Sequence, residues 1–113
     1  MTDINARIAE KKGVPGTQYD KHGFVVDYIQ TPDYTTDWRL AGELLEEVSK
    51  TPGWDVSLHW EQVDENDENN PAYEWTCYMT YWDDNPDNFK SFHVSADTPQ
   101  MAIALAWLEW REG

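Results

Sequence analysis

The sequence predicts an α+β fold: a three-stranded antiparallel β-meander packed with helices as a layered sandwich. Three observations predict it. An amphipathic stripe follows the helix entry at Asp37, two stretches near 54–61 and 73–82 alternate apolar and polar residues, and a Pro-started apolar segment closes the chain. The element order is helix, loop, helix, three strands, helix, which is a layered α+β arrangement. At 113 residues the expectation is a single domain spanning 1–113.

Residues 3–12 read as a short helix. Ile4 and Ile8 share one face with Ala9 beside them, Thr2 or Asp3 can cap it, and Gly13 ends it. Residues 13–33 contain Gly13, Pro15, Gly16, Gly23 and Pro32, a long connection for so small a domain. Its apolar middle, Phe24 to Ile29, suits an irregular or edge strand. Thr35 or Thr36 can cap the next helix, and Asp37 suits the positive end of its dipole. Trp38, Ala41, Leu45 and Val48 make its apolar stripe, with Arg39, Glu43, Glu46 and Glu47 on the other side. Thr51-Pro52-Gly53 stops it.

From Trp54 to Glu61 the alternation is strict. Trp54, Val56, Leu58 and Trp60 share one face; Asp55, Ser57, His59 and Glu61 share the other. Residues 63–71 read as an acidic loop. A second strand over 73–82 places Tyr73, Trp75, Cys77, Met79 and Tyr81 on one face, with Tyr78 and Trp82 opposite. The turn Asp83 to Asn88 leads to a third strand, Phe89 to Val94. Thr98 or Asp97 then caps a helix from Pro99 to about Trp110, with Pro99 at its first position. That helix is apolar nearly all round, so it is buried on two sides or touches a partner.

With 22 acidic and 8 basic residues, the formal charge is -14. This balance argues against direct binding to nucleic acid or an anionic membrane. The single cysteine, Cys77, excludes an intrachain disulfide and suits a reducing compartment. The segment Met1 to Arg7 lacks a leader's apolar core, and the longest apolar run, 101–108, is too short to span a bilayer. A cytoplasmic protein is expected.

Three segments carry a resemblance. They are "RIAEKKG", "PDYTTDWRLAGELLEEV" and "HVSADTPQMAIALAWLEW", in that order, with an alternating strand pair between the second and third. Together they resemble the phage ABA-sandwich domain family of small phage and prophage proteins. Tyr34-Thr35-Thr36-Asp37, and Ser95-Ala96-Asp97-Thr98 with Ala102-Ile103, match that family's helix entries. The acidic insert at 63–71 and the tryptophan load depart from it. The resemblance implies fold and phage origin in a host cell, and no catalytic residue.

Asp64, Asn66 and Glu68 have the alternating spacing of a calcium loop, but Asn69 and Trp75 stand where an EF-hand needs Gly and Glu. No metal site or cofactor is expected. His59 reads as a polar-face histidine and Cys77 as a buried, inert thiol. The sequence has no phosphate loop, nucleophile elbow or zinc-protease motif, so it predicts no enzyme.

The expected function is therefore a non-enzymatic counter-defence inhibitor that binds a host protein with a basic surface. Carboxylates on a rigid frame imitate the phosphates that occupy a nucleic-acid channel. Asp64, Glu65, Asp67, Glu68, Asp83, Asp84 and Asp87 form the expected surface, with Trp60 or Trp82 as the aromatic anchor. The alternatives are a binder of a host signalling nucleotide, using Arg39, Lys90 and Arg111 on its phosphates, and a phage structural subunit. A homodimer through the Tyr78 and Trp82 face or the last helix is a further expectation, since so many aromatics exceed one small core.

Overall fold

The computed structural model describes residues 4–28, 30–62 and 72–112. Helix α1, Ile4–Lys11, buries Ile8 and Ala9. A small hairpin follows: β1, Gln18–Tyr19, pairs antiparallel with β2, Val25–Asp27. Helix α2 is Trp38–Lys50. Strands β3, Trp54–Gln62, β4, Tyr73–Tyr81, and β5, Lys90–Ala96, form an antiparallel sheet in the order β3-β4-β5. Helix α3, Pro99–Glu112, completes the fold. The class is α+β with a meander, as expected. The order differs by the extra hairpin, and the helices cover one sheet face only.

Asp37 caps α2; neither threonine does. Its carboxylate accepts the Arg39 N–H at 2.8 Å and the Leu40 N–H at 3.4 Å. Thr35 and Thr36 instead donate their hydroxyls to Asp33, which also accepts Asn5 Nδ2 at 3.2 Å. Asp33 thus ties the entry of α2 to α1. The buried stripe of α2 is Ala41, Leu44 and Val48; Leu45 is half-buried and Trp38 is exposed. Helix α2 packs against both β3 and α3, and its seam between them runs through Leu44 rather than Trp38.

The meander is in register from Trp54↔Tyr81 to Gln62↔Tyr73, and from Trp75↔Ala96 to Tyr81↔Lys90. Val56, Met79 and Phe92 line up on the helix-covered face, as do Leu58, Cys77 and Val94. Cys77 and Met79 are fully buried there under α3. Helix α3 opens with the Thr98 hydroxyl accepting the Met101 N–H at 3.2 Å. Its alanines, Ala102, Ala104 and Ala106, let it sit close to its neighbours, while Ile103, Trp107 and Leu108 fill the core. Its apolar faces are covered by the sheet, α1 and α2, so the two-sided burial expected of it is met within the chain.

Gln100 Nε2 reaches the Thr36 carbonyl at 3.4 Å, and Trp107 Nε1 donates to Glu47 at 2.6 Å. These contacts set α2 and α3 side by side in parallel. Arg7 clasps Glu112 at 2.8 Å and brings α1 to the end of α3. Among the described residues, no helix is long and apolar enough to cross a membrane.

The tryptophans divide by depth. Trp107 is fully buried, Trp54, Trp75 and Trp110 are half-buried, and Trp38, Trp60 and Trp82 are exposed. Trp54 stacks on Phe92 at 5.8 Å and meets Trp110 edge-on at 6.0 Å. This aromatic box closes one end of the core. The described residues of the connection 13–33 supply no second layer over the sheet. Its hairpin packs chiefly on itself. Asp20 braces the tip by accepting the His22 and Phe24 N–H groups at 2.8 and 3.0 Å. Tyr19, Phe24, Val25, Val26 and Tyr28 all remain exposed.

Candidate functional site

The β4–β5 connection builds a cleft of about 470 Å³ lined by Trp82, Asp83, Asp84, Asn85, Pro86 and Phe89. Trp82 meets Phe89 edge-to-face, with ring centroids 4.8 Å apart. Between them Pro86–Asn88 makes one 3₁₀ turn, opened by Asn85, whose side chain accepts the Asp87 N–H at 3.0 Å. Asp83 organises the turn. It accepts the Asn85 N–H at 2.5 Å, Asn88 Nδ2 at 2.8 Å and the Tyr81 hydroxyl at 3.2 Å. Asn88, then Asn85 and Tyr81, hold its carboxyl below the usual carboxylate range. Its charge in turn pushes the Tyr81 phenol up.

The three carboxylates therefore differ in role. Asp83 is occupied by the turn. Asp84 and Asp87 are exposed, and among the described residues no hydrogen bond or ion pair engages their carboxylates. Asp84 lines the cleft and Asp87 stands on the adjoining 3₁₀ turn, and both are free to meet a cation. Phe89 is the wall that the sequence reading missed. The signal was present, because aromatic residues flank the turn at both ends.

The other expected surface residues sit elsewhere. Asp64, Glu65, Asp67 and Glu68 lie outside the described residues. Trp60 stacks on Tyr73 at 5.9 Å and tilts onto Trp75 at 5.5 Å. It pairs with Trp75, toward the opposite end of the sheet from Trp82, which is roughly 23 Å away at strand rise. The two expected anchors thus belong to separate surfaces, and only Trp82 adjoins described carboxylates.

Arg39, Lys90 and Arg111 do not form one cradle. Arg39 lies at the start of α2, 4.0 Å from Glu43, while Arg111 lies in the last turn of the parallel α3. Lys90 lines a smaller cleft of about 220 Å³ with Trp54, Tyr81 and Asn88.

The uncovered face of the sheet holds a second polar grouping. Ser57, Tyr78 and His93 align across the three strands, as do His59, Thr76 and Ser95. Tyr78 donates to Glu61 at 2.5 Å, with His59 edge-on to its ring at 5.4 Å and His93 stacked at 5.6 Å. Thr76 is fully buried beneath these side chains and pairs with the Ser95 hydroxyl at 2.7 Å. His59 Nε2 lies 3.1 Å from Ser57 Oγ, a nucleophile-to-base distance. The orienting bond of a triad is missing, because Glu61 takes the Tyr78 proton donor instead. Among the described residues, no cluster of three His, Cys, Asp or Glu could hold a metal ion. Cys77 is sealed under α3, where burial pushes its thiol up to about 12.

The Tyr78–Glu61 pair makes a pH prediction. The Tyr78 hydroxyl, then Thr76 and the two histidines, lower the Glu61 carboxyl from its ordinary value; Glu61 raises Tyr78. A carboxyl lowered on folding contributes stability above its unfolded value, and loses it as pH falls through the lower folded value. NMR titration of the Glu61 carboxyl should place its midpoint below an unpaired glutamate. Tyr78→Phe should return it toward the ordinary value; an unmoved midpoint would show that the phenol is not the cause.

Compared with known protein families, curated proteins and solved structures, the chain matches none.

Proposed function

We propose that the chain is a non-enzymatic binding protein that presents the Trp82–Phe89 cleft and its acidic rim to a cationic surface on a partner protein. The observation that carries this reading is the pairing of an open aromatic floor with two unengaged carboxylates, Asp84 and Asp87, on a turn braced by Asp83. Aromatic anchors surrounded by a polar rim are where binding energy concentrates. A charge of -14 adds attraction at long range toward a basic partner. Nucleic-acid channels offer such surfaces, dense in Arg and Lys and open to one face. The resemblance to phage proteins suggests a host factor as the partner, an inhibitory role against host defence and action in the host cytoplasm.

The test is capture from host lysate at low and high salt with three forms of the tagged chain. The unmodified chain should retain a nucleic-acid-processing protein at low salt and lose it at high salt. Trp82→Ala should weaken that capture by about 30-fold, the scale of a hot-spot anchor. Asp84→Lys with Asp87→Lys should abolish it while the far-UV spectrum stays the same. Capture that is indifferent to both changes would remove the cleft from the binding surface.

A further inference from the structure

Trp82 and Phe89 meet at 63° with centroids 4.8 Å apart, so their rings stand as two walls of a corner rather than as a parallel slot. They are 58% and 49% exposed, and Asp84 lines the same cleft. The face of an aromatic ring is negative and attracts cations, an indole most strongly. The cations of the chain are committed elsewhere. Arg7, Lys12, Arg39 and Lys50 pair with Glu112, Glu47, Glu43 and Glu46. Lys90 lines the separate cleft beside Trp54. Among the described residues, no ion pair reaches Asp84 or Asp87.

The possible occupants differ in what each would leave unsatisfied. An apolar side chain would fill the corner and strip water from Asp84, leaving a charge without a partner. A lysine ammonium would answer the carboxylate, but it is strongly hydrated and gains little from lying on a ring. A trimethylammonium group would lie on both rings and has no N–H to give Asp84. A guanidinium meets both demands. Its flat faces are weakly hydrated and stack on an indole, while its edge presents N–H groups in a fork that matches a carboxylate.

We infer that the group this cleft takes from its partner is an arginine side chain. Its plane lies on Trp82, Phe89 closes the second side, and its N–H edge turns to Asp84. The assignment rests on the reading of the cleft as a partner-binding surface and names the chemistry of the group that enters it. Asp83 is spent on the turn, because Asn85, Asn88 and Tyr81 already occupy its carboxylate. Asp87, on the adjoining 3₁₀ turn, adds negative potential beside the corner. The charge of -14 repels anionic ligands and speeds the approach of a basic segment.

NMR titration of the full chain with short blocked peptides tests this, read at the Trp82 indole N–H and the Asn85 backbone amide. Gly-Arg-Gly and Gly-Lys-Gly carry the same charge, so long-range attraction cancels between them. The arginine peptide should shift both signals and saturate in the millimolar range. The lysine and trimethyllysine peptides should bind about fivefold more weakly, the scale of one cation–π contact or one charge-assisted hydrogen bond. Phe89→Leu should cut arginine binding by about fivefold and leave lysine binding unchanged, while Asp84→Asn should weaken both. Free arginine, whose own carboxylate opposes the acidic rim, should bind less tightly than the peptide. Equal affinity for the arginine and lysine peptides overturns the inference. So does a preference for trimethyllysine, tighter binding of the free amino acid, or no shift at any concentration. If the arginine preference is absent while capture from lysate still needs Trp82, Asp84 and Asp87, the partner reading stands and the arginine alone falls. Capture that ignores those residues, beside a clear arginine preference, would remove the partner reading and keep the guanidinium site.

Discussion

Trp107→Ala should cost ~3–5 kcal/mol of folding stability, the range for emptying a large buried aromatic site. For a domain of this size that is a large part of the total, since small domains are stable by only about 5–15 kcal/mol. Trp107 is fully buried, and its ring sits where α2, α3 and the aromatic box meet. Its Nε1 donates to Glu47 at 2.6 Å, and Glu47 also pairs with Lys12 at 3.7 Å. The Lys12 ammonium lies 5.8 Å from the Trp107 ring centre. Removing the indole therefore opens a void and also releases a carboxylate and an ammonium from their shared partner. Urea unfolding followed by near-UV dichroism measures the loss. Trp107→Phe separates the causes: it keeps most of the volume and deletes the donor, so it should lose about 1–3 kcal/mol. Equal losses from both variants would mean that the hydrogen bond, not the packing, holds this corner.

Gly53→Ala should destabilise by roughly 2 kcal/mol or more, and it should also disturb the cleft. Gly53 has φ +87°, in the region that costs a residue with a Cβ about 1–2 kcal/mol. A Cβ there would come within 2.6 Å of Tyr81 Cε2 and 2.8 Å of the Trp82 carbonyl oxygen. The Trp82 N–H donates to the Gly53 carbonyl at 2.8 Å, so the α2–β3 turn is clamped to the residue that anchors the cleft. Relieving the clash moves Trp82. Gly42 is the control: it lies inside α2 with nothing within 4 Å of an added Cβ. Gly42→Ala should raise stability by about 0.5–1 kcal/mol and leave partner capture unchanged. If Gly53→Ala melts at the same temperature as the unmodified chain, the clamp carries no weight.

The strands were legible because their alternation is a local signal. Trp54 to Glu61, and Tyr73 to Tyr81, each show which side faces the helices without any knowledge of their neighbours. The cap and stripe of α2 were less legible. Thr35, Thr36 and Asp37 are all good caps in isolation, and only the capture of both threonines by Asp33 leaves Asp37 to the task. Trp38 and Leu44 both fit a helical stripe, and which is buried depends on where β3 and α3 lie. The residues 13–33 gave no alternation on the short β1, so its pairing with β2 was hidden. The acidic turn and Trp82 could be named from sequence because composition marks them. That Asp83 is engaged while Asp84 and Asp87 are free follows from hydrogen bonds that composition does not record. The alignment of His59, Tyr78 and His93 was invisible for a related reason. It arises from pairing between residues 19 or more positions apart in some cases, such as Thr76 with Ser95.

Helix α3 supplies Ala102, Ile103, Ala104, Ala106, Trp107 and Leu108 to the core, more than any other element described. A ribosome makes this helix after every element it packs against. Until residue 108 has cleared the exit tunnel, the nascent meander has no cover over Met79 and Cys77, and α2 has no neighbour for Leu44. The growing chain must therefore wait with the β4 and β5 side of its sheet uncovered, α2 reaching only β3. Its acidic side chains, already 20 by residue 97, keep neighbouring unfinished chains apart during that interval. The same net charge thus acts while the protein is being made.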